Sequence, residues 1–289
     1  MNSMNLQYFI NNKDFPFYVN YGEHDDDLEM HTHLDFSELT IVLSGTAVHM
    51  VDSEEYFIKK GDVFVINKHT SHGYKQLNDF KICNIMFQFD TFFQLEYDIK
   101  KSAGFHALFV IEPYLIKEQN FQSRLQLSLP NFNIVQALIT EMIEEYLTQQ
   151  MGYTTLLHGK FLELAVILSR NYNISDISEK DKALNITKPI SYIESNFTSS
   201  ISIDDLAKQA CMSTRHFIRI FTETYQTTPL KYINILRLQY ACTLLKTTNK
   251  TITEIALDCG FNDSNYFSKQ FKSMYFCTPQ QFRKKGLSH

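Results

Sequence analysis

The chain has 289 residues, with 27 Lys and Arg against 32 Asp and Glu, for a formal charge of −5. That length fits one large domain or two ordinary ones, and 44% hydrophobic with 20% charged residues can bury a core, which excludes global disorder. No apolar run approaches the ~18 residues of a membrane span, so no membrane partner is expected.

The N-terminal stretch MNSMNLQYFINN has neither a basic n-region nor an apolar h-region, so export is not expected. Cys83, Cys211, Cys242, Cys259 and Cys277 are odd in number and contain no CxxC pair, which fits a reduced, cytoplasmic chain. The charge is uneven. Residues 1–185 hold 14 basic and 25 acidic side chains, a net of −11, whereas residues 186–289 hold 13 and 7, a net of +6. Such asymmetry hints at a nucleic-acid-binding part joined to something else.

The first ninety residues read as strands. Residues 39–43 lead to a Ser44-Gly45 turn, then to residues 47–51, a polar tip at Asp52-Ser53-Glu54-Glu55, and Tyr56-Phe57-Ile58. Lys59-Lys60-Gly61-Asp62 turns the chain into residues 63–66, and Cys83, Ile85, Phe87 and Phe89 then alternate along a further strand. Short strands at this spacing predict a sandwich or barrel. The period then changes. Ile134, Leu138 and Met142, with Ile139, Ile143 and Leu147, recur at helical spacing opposite Glu141, Glu144 and Glu145. Leu157, Phe161, Leu164 and Leu168 mark a second helix, so a helix pair is expected on the barrel. An exposed apolar stripe on that pair would suit a homodimer contact. Residues 173–186 are polar and without sustained periodicity, and read as a linker between a strand-rich domain with its helix pair at 1–172 and a helical domain at 187–289. The fold class is therefore α+β, in two domains.

The last hundred residues repeat themselves. Phe217, Phe221 and Thr227-Thr228-Pro229 recur fifty residues later as Phe267, Phe271 and Cys277-Thr278-Pro279. Leu206-Ala207 matches Ile255-Ala256 at an offset of forty-nine, so the second copy has one extra residue in its turn. Each copy carries the features of a helix-turn-helix, at about 203–222 and 252–272. A small residue, Ala207 or Ala256, stands where helices cross, and a turn follows at Cys211-Met212-Ser213 or Cys259-Gly260-Phe261. Gly260 can supply a positive φ, Ser213 a helix N-cap, and Asp263 or Ser264 the equivalent cap. The phenylalanines face inward. The opposite face carries Arg215, Arg219 and Thr222 in copy one and Asn265, Lys269 and Lys272 in copy two, donor-rich side chains suited to base edges and phosphates. With Ser213, His216 and Ser264 at the helix starts, these are the candidate contacts to double-stranded DNA. Pro229 opens a connecting helix through residue 245, roughly 25 Å of rod at ~1.5 Å per residue. That length suits two recognition helices in successive major-groove windows.

Ile255-Ala256-x3-Gly260-Phe261-x4-Tyr266-Phe267-x3-Phe271-Lys272, followed by Thr278-Pro279-x2-Phe282-Arg283, resembles the signature of the AraC/XylS transcription regulators, and Arg237-Leu238-x2-Ala241-x2-Leu244-Leu245 resembles that family's connecting helix. The resemblance implies promoter half-sites or direct repeats as target and RNA polymerase as a partner. One departure stands out: the family usually has glycine where this chain has Gln226 and Phe276, so both helix ends must be capped otherwise or carry strain.

Upstream, His31-x-His33-x4-Glu38-x6-Gly45 and Gly61-x10-His72 resemble the two cupin motifs, with Asn67 and His69 replacing the usual proline and glycine of the second. The resemblance implies a double-stranded β-helix barrel in which His31, His33, Glu38 and His72 converge. These four either hold a divalent ion, with Zn, Mn, Fe and Ni all suited to such a donor set, or form a hydrogen-bonded cluster that binds an effector. No cofactor is strictly required. The wording around His33-x-Asp35-Phe36-x-Glu38, Tyr56-x-Ile58-x2-Gly61-Asp62 and Asn84-Ile85 resembles the L-rhamnose-responsive members, which implies a sugar-type effector and an activator of a carbohydrate-utilisation operon. Tyr74 and Asn84 join the four as candidate effector contacts. The rival reading is a metal-dependent cupin enzyme with a helical accessory domain. It leaves the two donor-rich helix faces without a use.

Overall fold

The computed structural model describes residues 2–23, 26–93, 97–115, 125–172 and 182–286. They fall into two compact units, Met1–Thr187 and Lys188–His289.

Unit one is a rolled, eight-stranded hydrogen-bonded network. Its strands are β1 (Asn2–Met4), β2 (Phe17–Glu23), β3 (Leu28–His33), β4 (Ser37–Val51), β5 (Glu54–Lys59), β6 (Asp62–Ile66), β7 (Ser71–Phe87) and β8 (Leu125–Gln126). Two long antiparallel strands organise it: β4 pairs with β5, β6 and β7, and β7 pairs with β2, β3 and β4. The expected Ser44-Gly45 turn is instead a bend inside one strand. Register shifts surround it, Gly45 adopts φ 68, and a Cβ there would lie 2.2 Å from the Asn78 carbonyl oxygen. Phe89, expected to continue the last strand, instead opens the short helix α1 (Phe89–Phe92).

The two ends of β7 are buried on both faces, while residues 75–81 are mostly exposed or half-buried. Ile82 joins Val42, Ala47, Val51, Ile58, Phe64, Ile66, Tyr74 and Phe80 in the interior, while Phe87 packs outward. The peg on that outer side is Phe161, whose ring meets those of Phe87 at 4.8 Å, Phe92 at 5.2 Å and Phe17 at 5.4 Å. Two short helices, α2 (Ala103–His106) and α3 (Glu112–Leu115), precede the helix pair α4 (Leu129–Thr148) and α5 (Tyr153–Asn171). Leu138, Ile139, Met142 and Ile143 of α4 are buried as expected, but Ile134 and Leu147 are 53% and 71% exposed and lie off the packed stripe. Of the expected linker, 173–181 lies outside the described residues. The remainder, Lys182–Ile186, is a 3-10 helix that buries Leu184 and Ile186, so that part is not a polar tether. Among the described residues, no helix is long and apolar enough to cross a membrane.

Unit two comprises α6 (Thr187–Asn196), α7 (Ile203–Gln209), α8 (Thr214–Tyr225), α9 (Pro229–Thr247), α10 (Ile252–Asp258), α11 (Ser264–Tyr275) and α12 (Pro279–Gly286). Side-chain caps start the helices: Ser202 for α7, Ser213 for α8, Thr228 for α9, and a full Thr251–Glu254 capping box for α10. Of the two candidates for α11, Asp263 is the cap. The two turns align one residue differently from the sequence reading. Cys211 at φ 55 is the counterpart of Gly260 at φ 85, each followed by a bond back to the alanine carbonyl, Met212 to Ala207 and Phe261 to Ala256. A cysteine thus bears the left-handed turn in copy one.

The missing family glycines have the same consequence. Gln226 and Phe276 end α8 and α11 at φ 53 and φ 58, a conformation that costs a side-chain-bearing residue roughly 1 kcal/mol or more. Phe276 is 90% exposed and has little packing to lose. Phe276→Gly is expected to raise the unfolding free energy by about 1 kcal/mol, read by chemical denaturation; a fall would show that the ring stabilises the helix end.

Candidate functional site

Two sites emerge, one in each unit. In unit one, alternation along the strands decides which side chains face inward. Glu38, Thr40 and Val42 of β4 lie opposite Met86, Asn84 and Ile82 of β7 on the interior face. His31 pairs with His72 across β3 and β7, and His49 pairs with Tyr74 across β4 and β7. The result is a continuous polar line. The Thr40 hydroxyl lies 3.2 Å from Asn84 Oδ1 and 3.1 Å from Glu38 Oε1. Glu38 Oε2 is 3.6 Å from His33 Nε2, which faces His72 Nε2 at 3.1 Å, and His72 Nδ1 meets His49 Nε2 at 3.4 Å. His31 completes the group: one ligand atom each from His31, His33 and His72 lies within 4.8 Å of the others.

The line is almost dry. His33, His49, His72 and Thr40 are fully buried, Glu38 is 2% and His31 5% exposed, whereas Asn84 is half-buried and forms its more open end. Burial dominates the electrostatics. It lowers His33 and His49 to about 3, with the charge of His31 as the second cause, and holds His72 well below its usual range. Burial lifts the Glu38 carboxyl to about 7, against the opposing hydrogen bond from Thr40. The imidazoles of His33, His49 and His72 are therefore neutral, with lone pairs available at ordinary pH.

These residues fit a divalent ion. A tetrahedral centre with bonds of about 2.1 Å separates its ligand atoms by about 3.4 Å, close to the 3.1 Å and 3.6 Å seen around His33 Nε2. Two neutral imidazole nitrogens pointing at each other satisfy one another only if one carries the proton; a cation between them uses both lone pairs. His31 Nδ1 lies 3.1 Å from the Glu29 carbonyl oxygen, a backbone contact of the kind that orients a ligating imidazole. Tyr74, expected as an effector contact, is fully buried and stacks on His49 at 4.9 Å within the apolar core. It backs the cluster rather than lining an opening.

In unit two, Arg215, Arg219, Asn265, Lys269 and Lys272 are exposed, and His216, Thr222 and Ser264 are half-buried. Phe217 and Phe221, like Phe267 and Phe271, are fully buried on the opposite face. Ser213 is spent as a cap, accepting from the His216 amide at 3.3 Å. The Thr222 hydroxyl bonds back to the Ile218 carbonyl at 2.6 Å. Arg219 Nη1 holds both oxygens of Glu223, at 3.1 Å and 2.8 Å, so any DNA contact by Arg219 must share or displace that carboxylate.

Residues 206–285 match the helix-turn-helix domain family and residues 17–85 match the cupin domain family. The HTH-type transcriptional activator RhaS of Enterobacter sp. (strain 638) is 27% identical over 251 residues, 87% of this chain and 86% of that protein. The chain belongs to the AraC/XylS family of transcription regulators. The HTH-type transcriptional activator RhaR of Mannheimia succiniciproducens is 26% identical over 285 residues, 97% of this chain and 95% of that protein. A crystal structure of a transcriptional regulator with an AraC-type DNA-binding domain, from Chromobacterium violaceum, is 34% identical over 36% of this chain and 93% of that one, with a TM-score of 0.34.

Three site residues of this AraC/XylS regulator escaped the sequence reading. His49 had a signal, as the lone polar side chain in the otherwise apolar stretch 47–51. Tyr266, 45% exposed, occupies the place that His216 holds in copy one. Glu223 is visible only as the i+4 partner of Arg219.

The buried histidines make stability pH-dependent in the metal-free protein. Because folding lowers them from 6.5 to about 3, His33 and His49 contribute stability that is intact above pH 6.5 and is lost as pH falls toward 3. Glu38, raised from 4.5 to about 7, has the opposite sign: its contribution is present below 4.5 and lost as pH rises through about 7. Between pH 7.5 and pH 5.5 each such histidine costs about 1 kcal/mol, and together they outweigh the single carboxyl. His49→Gln is expected to shrink that acid-induced loss by about 1 kcal/mol in denaturant titrations at the two pH values. An unchanged loss would show that His49 is not held neutral by burial.

Proposed function

We propose that this chain is a sequence-specific DNA-binding transcription activator that reads double-stranded DNA with α8 and α11 and receives its signal at the polar line of unit one. The observation that carries the reading is the duplicated, capped helix-turn-helix with its donors on the face opposite the buried phenylalanines. The near-full-length similarity to proteins named as transcriptional activators supports it, and favours a regulator over a metal-dependent cupin enzyme.

The effector is a small sugar, with L-rhamnose the leading candidate from the resemblance around residues 33–42, 56–62 and 84–85. The half-buried Asn84 end, where a hydroxyl and an amide already meet, is chemically suited to sugar hydroxyls. His31, His33, His72 and Glu38 would hold a divalent ion, which supplies a fixed positive charge at the inner end; Zn, Mn, Fe and Ni all suit the donors. Exposed Ile134, Leu147 and Leu156 on α4 and α5 support a homodimer. RNA polymerase is the partner that activation requires, and action on DNA places the protein in the cytoplasm.

Footprinting on the DNA upstream of the chain's own gene tests the reading. Protection of paired half-sites about one helical turn apart is expected; no protection at any effector concentration overturns it. In salt-matched titrations, Arg219→Ala is expected to weaken binding by about 5- to 150-fold, the ~1–3 kcal/mol of a good arginine contact. Glu223→Gln is expected to tighten binding by releasing Arg219. Unchanged affinity in both variants removes Arg219 from the interface.

A further inference from the structure

The connecting helix does more than separate the two helix-turn-helix units. From the middle of α9, Arg237 reaches back to the turn that precedes α7. Its Nε donates to the Phe197 carbonyl at 2.6 Å and its Nη2 to the Ser199 carbonyl at 2.8 Å. The same guanidinium stands 5.7 Å over the ring of Phe261, in the turn of the second helix-turn-helix. Between these two carbonyls, Thr198 lies directly against Gly260: a Cβ at position 260 would fall 2.4 Å from the Thr198 carbonyl oxygen and 3.1 Å from Arg237 Cζ. Gly260 has a φ of 85, which favours glycine, and it is this close approach that excludes a side chain there. The ring of Phe197 adds an edge contact to Tyr240 of α9 at 5.8 Å.

Three separate pieces of chain thus meet at one guanidinium: the lead-in to the first helix-turn-helix, the connecting helix and the turn of the second. A single-helix connection alone would let the two units bend and twist about α9. Carbonyls on one side and a ring on the other close that freedom, because the planar fork can satisfy both only in one relative orientation.

We infer that Arg237 is a positioning residue for DNA recognition, the clamp that fixes α8 and α11 at one spacing and so makes the chain intolerant of altered half-site separation. The inference rests on the DNA-binding reading above. Its side chain is not among the DNA-facing donors, and it acts through the placement of the two helices.

The test uses the full chain and three duplexes: one selected by the wild-type protein from a random-sequence pool, the same duplex with one base pair inserted between its half-sites, and one with a single half-site. An insertion rotates and displaces one half-site by about a tenth of a turn. Wild type is expected to lose about 30-fold on the insertion, the scale of a lost base contact. Arg237→Gln is expected to bind the selected duplex about 10-fold more weakly, to lose no more than about 3-fold further on the insertion, and to bind the single half-site as wild type does. Arg237→Lys, which keeps the charge without the fork, is expected to fall between the two; a wild-type insertion penalty in this variant shows that charge, not geometry, is what matters, and overturns the clamp. The same holds if Arg237→Gln retains the wild-type penalty, or loses affinity equally for all three duplexes with a lowered melting temperature, since the residue then serves only charge or folding. A wild-type chain that selects no duplex overturns the DNA-binding reading itself, and the clamp with it.

Discussion

The antiparallel pairing of β4 with β7 is the constraint on which unit one depends. Every other strand among the described residues except β1 and β8 hydrogen-bonds to one of these two, and their register decides which side chains share the interior. Glu38 and Thr40 stand opposite Met86 and Asn84, and His49 and Val51 opposite Tyr74 and His72. A slip of one residue would turn all of them to the other face, burying Leu39 and Ile41 where polar groups now meet. Gly45 makes the pairing continuous. Only a residue without a Cβ can pass so close to the Asn78 carbonyl, and the bend there lets a single strand run from Glu38 to His49.

That register creates an interior with two characters. The half built on Val42, Ile58, Phe64, Ile66 and Ile82 is a packed apolar core, and His49 and Tyr74 stack against it. The other half is the polar line from Asn84 to His72. Burial works against charge along the line: it lifts Glu38 and lowers His33, His49 and His72. A cation entering among His31, His33, His72 and Glu38 would reverse that balance, ionising the carboxyl and using every inward lone pair. Unit two solves a different problem, the presentation of two helices to a long polyanion. It does so with side-chain caps at the starts of α7 to α11 and with one arginine joining the lead-in of one motif to the turn of the other.

Much of this was legible in the sequence because the relevant rules are local. The 3.6-residue period separated Phe217 and Phe221 from Arg215 and Arg219, the fifty-residue repeat exposed the second copy, and the His-x-His spacing placed two imidazoles on one side of a strand. What was hidden depended on partners distant in the chain. Gly45 reads as a turn until Asn78 is known to lie against it. Cys211 has no local mark of a left-handed residue; only its hydrogen-bonding equivalence to Gly260 reveals it. Tyr74 looks like a site residue by its proximity to His72, yet sits one step deeper, against His49. Phe89 keeps the strand's alternation after the strand has ended. The Arg219–Glu223 pair is implicit in the i, i+4 spacing, but the helical period by itself marks Arg219 only as a donor on the face opposite the phenylalanines and does not say which partner it holds.

On the function proposed above, a ligand at the polar line of unit one alters the DNA affinity of the paired helices of unit two. The most direct test is the affinity of the full chain for its selected duplex at fixed salt, with and without L-rhamnose, in wild type and Glu38→Gln. A change of about 5- to 150-fold in wild type, the scale of ~1–3 kcal/mol of coupling, that collapses in Glu38→Gln is the result predicted. An affinity indifferent to the sugar, or a response that persists undiminished in Glu38→Gln, contradicts it.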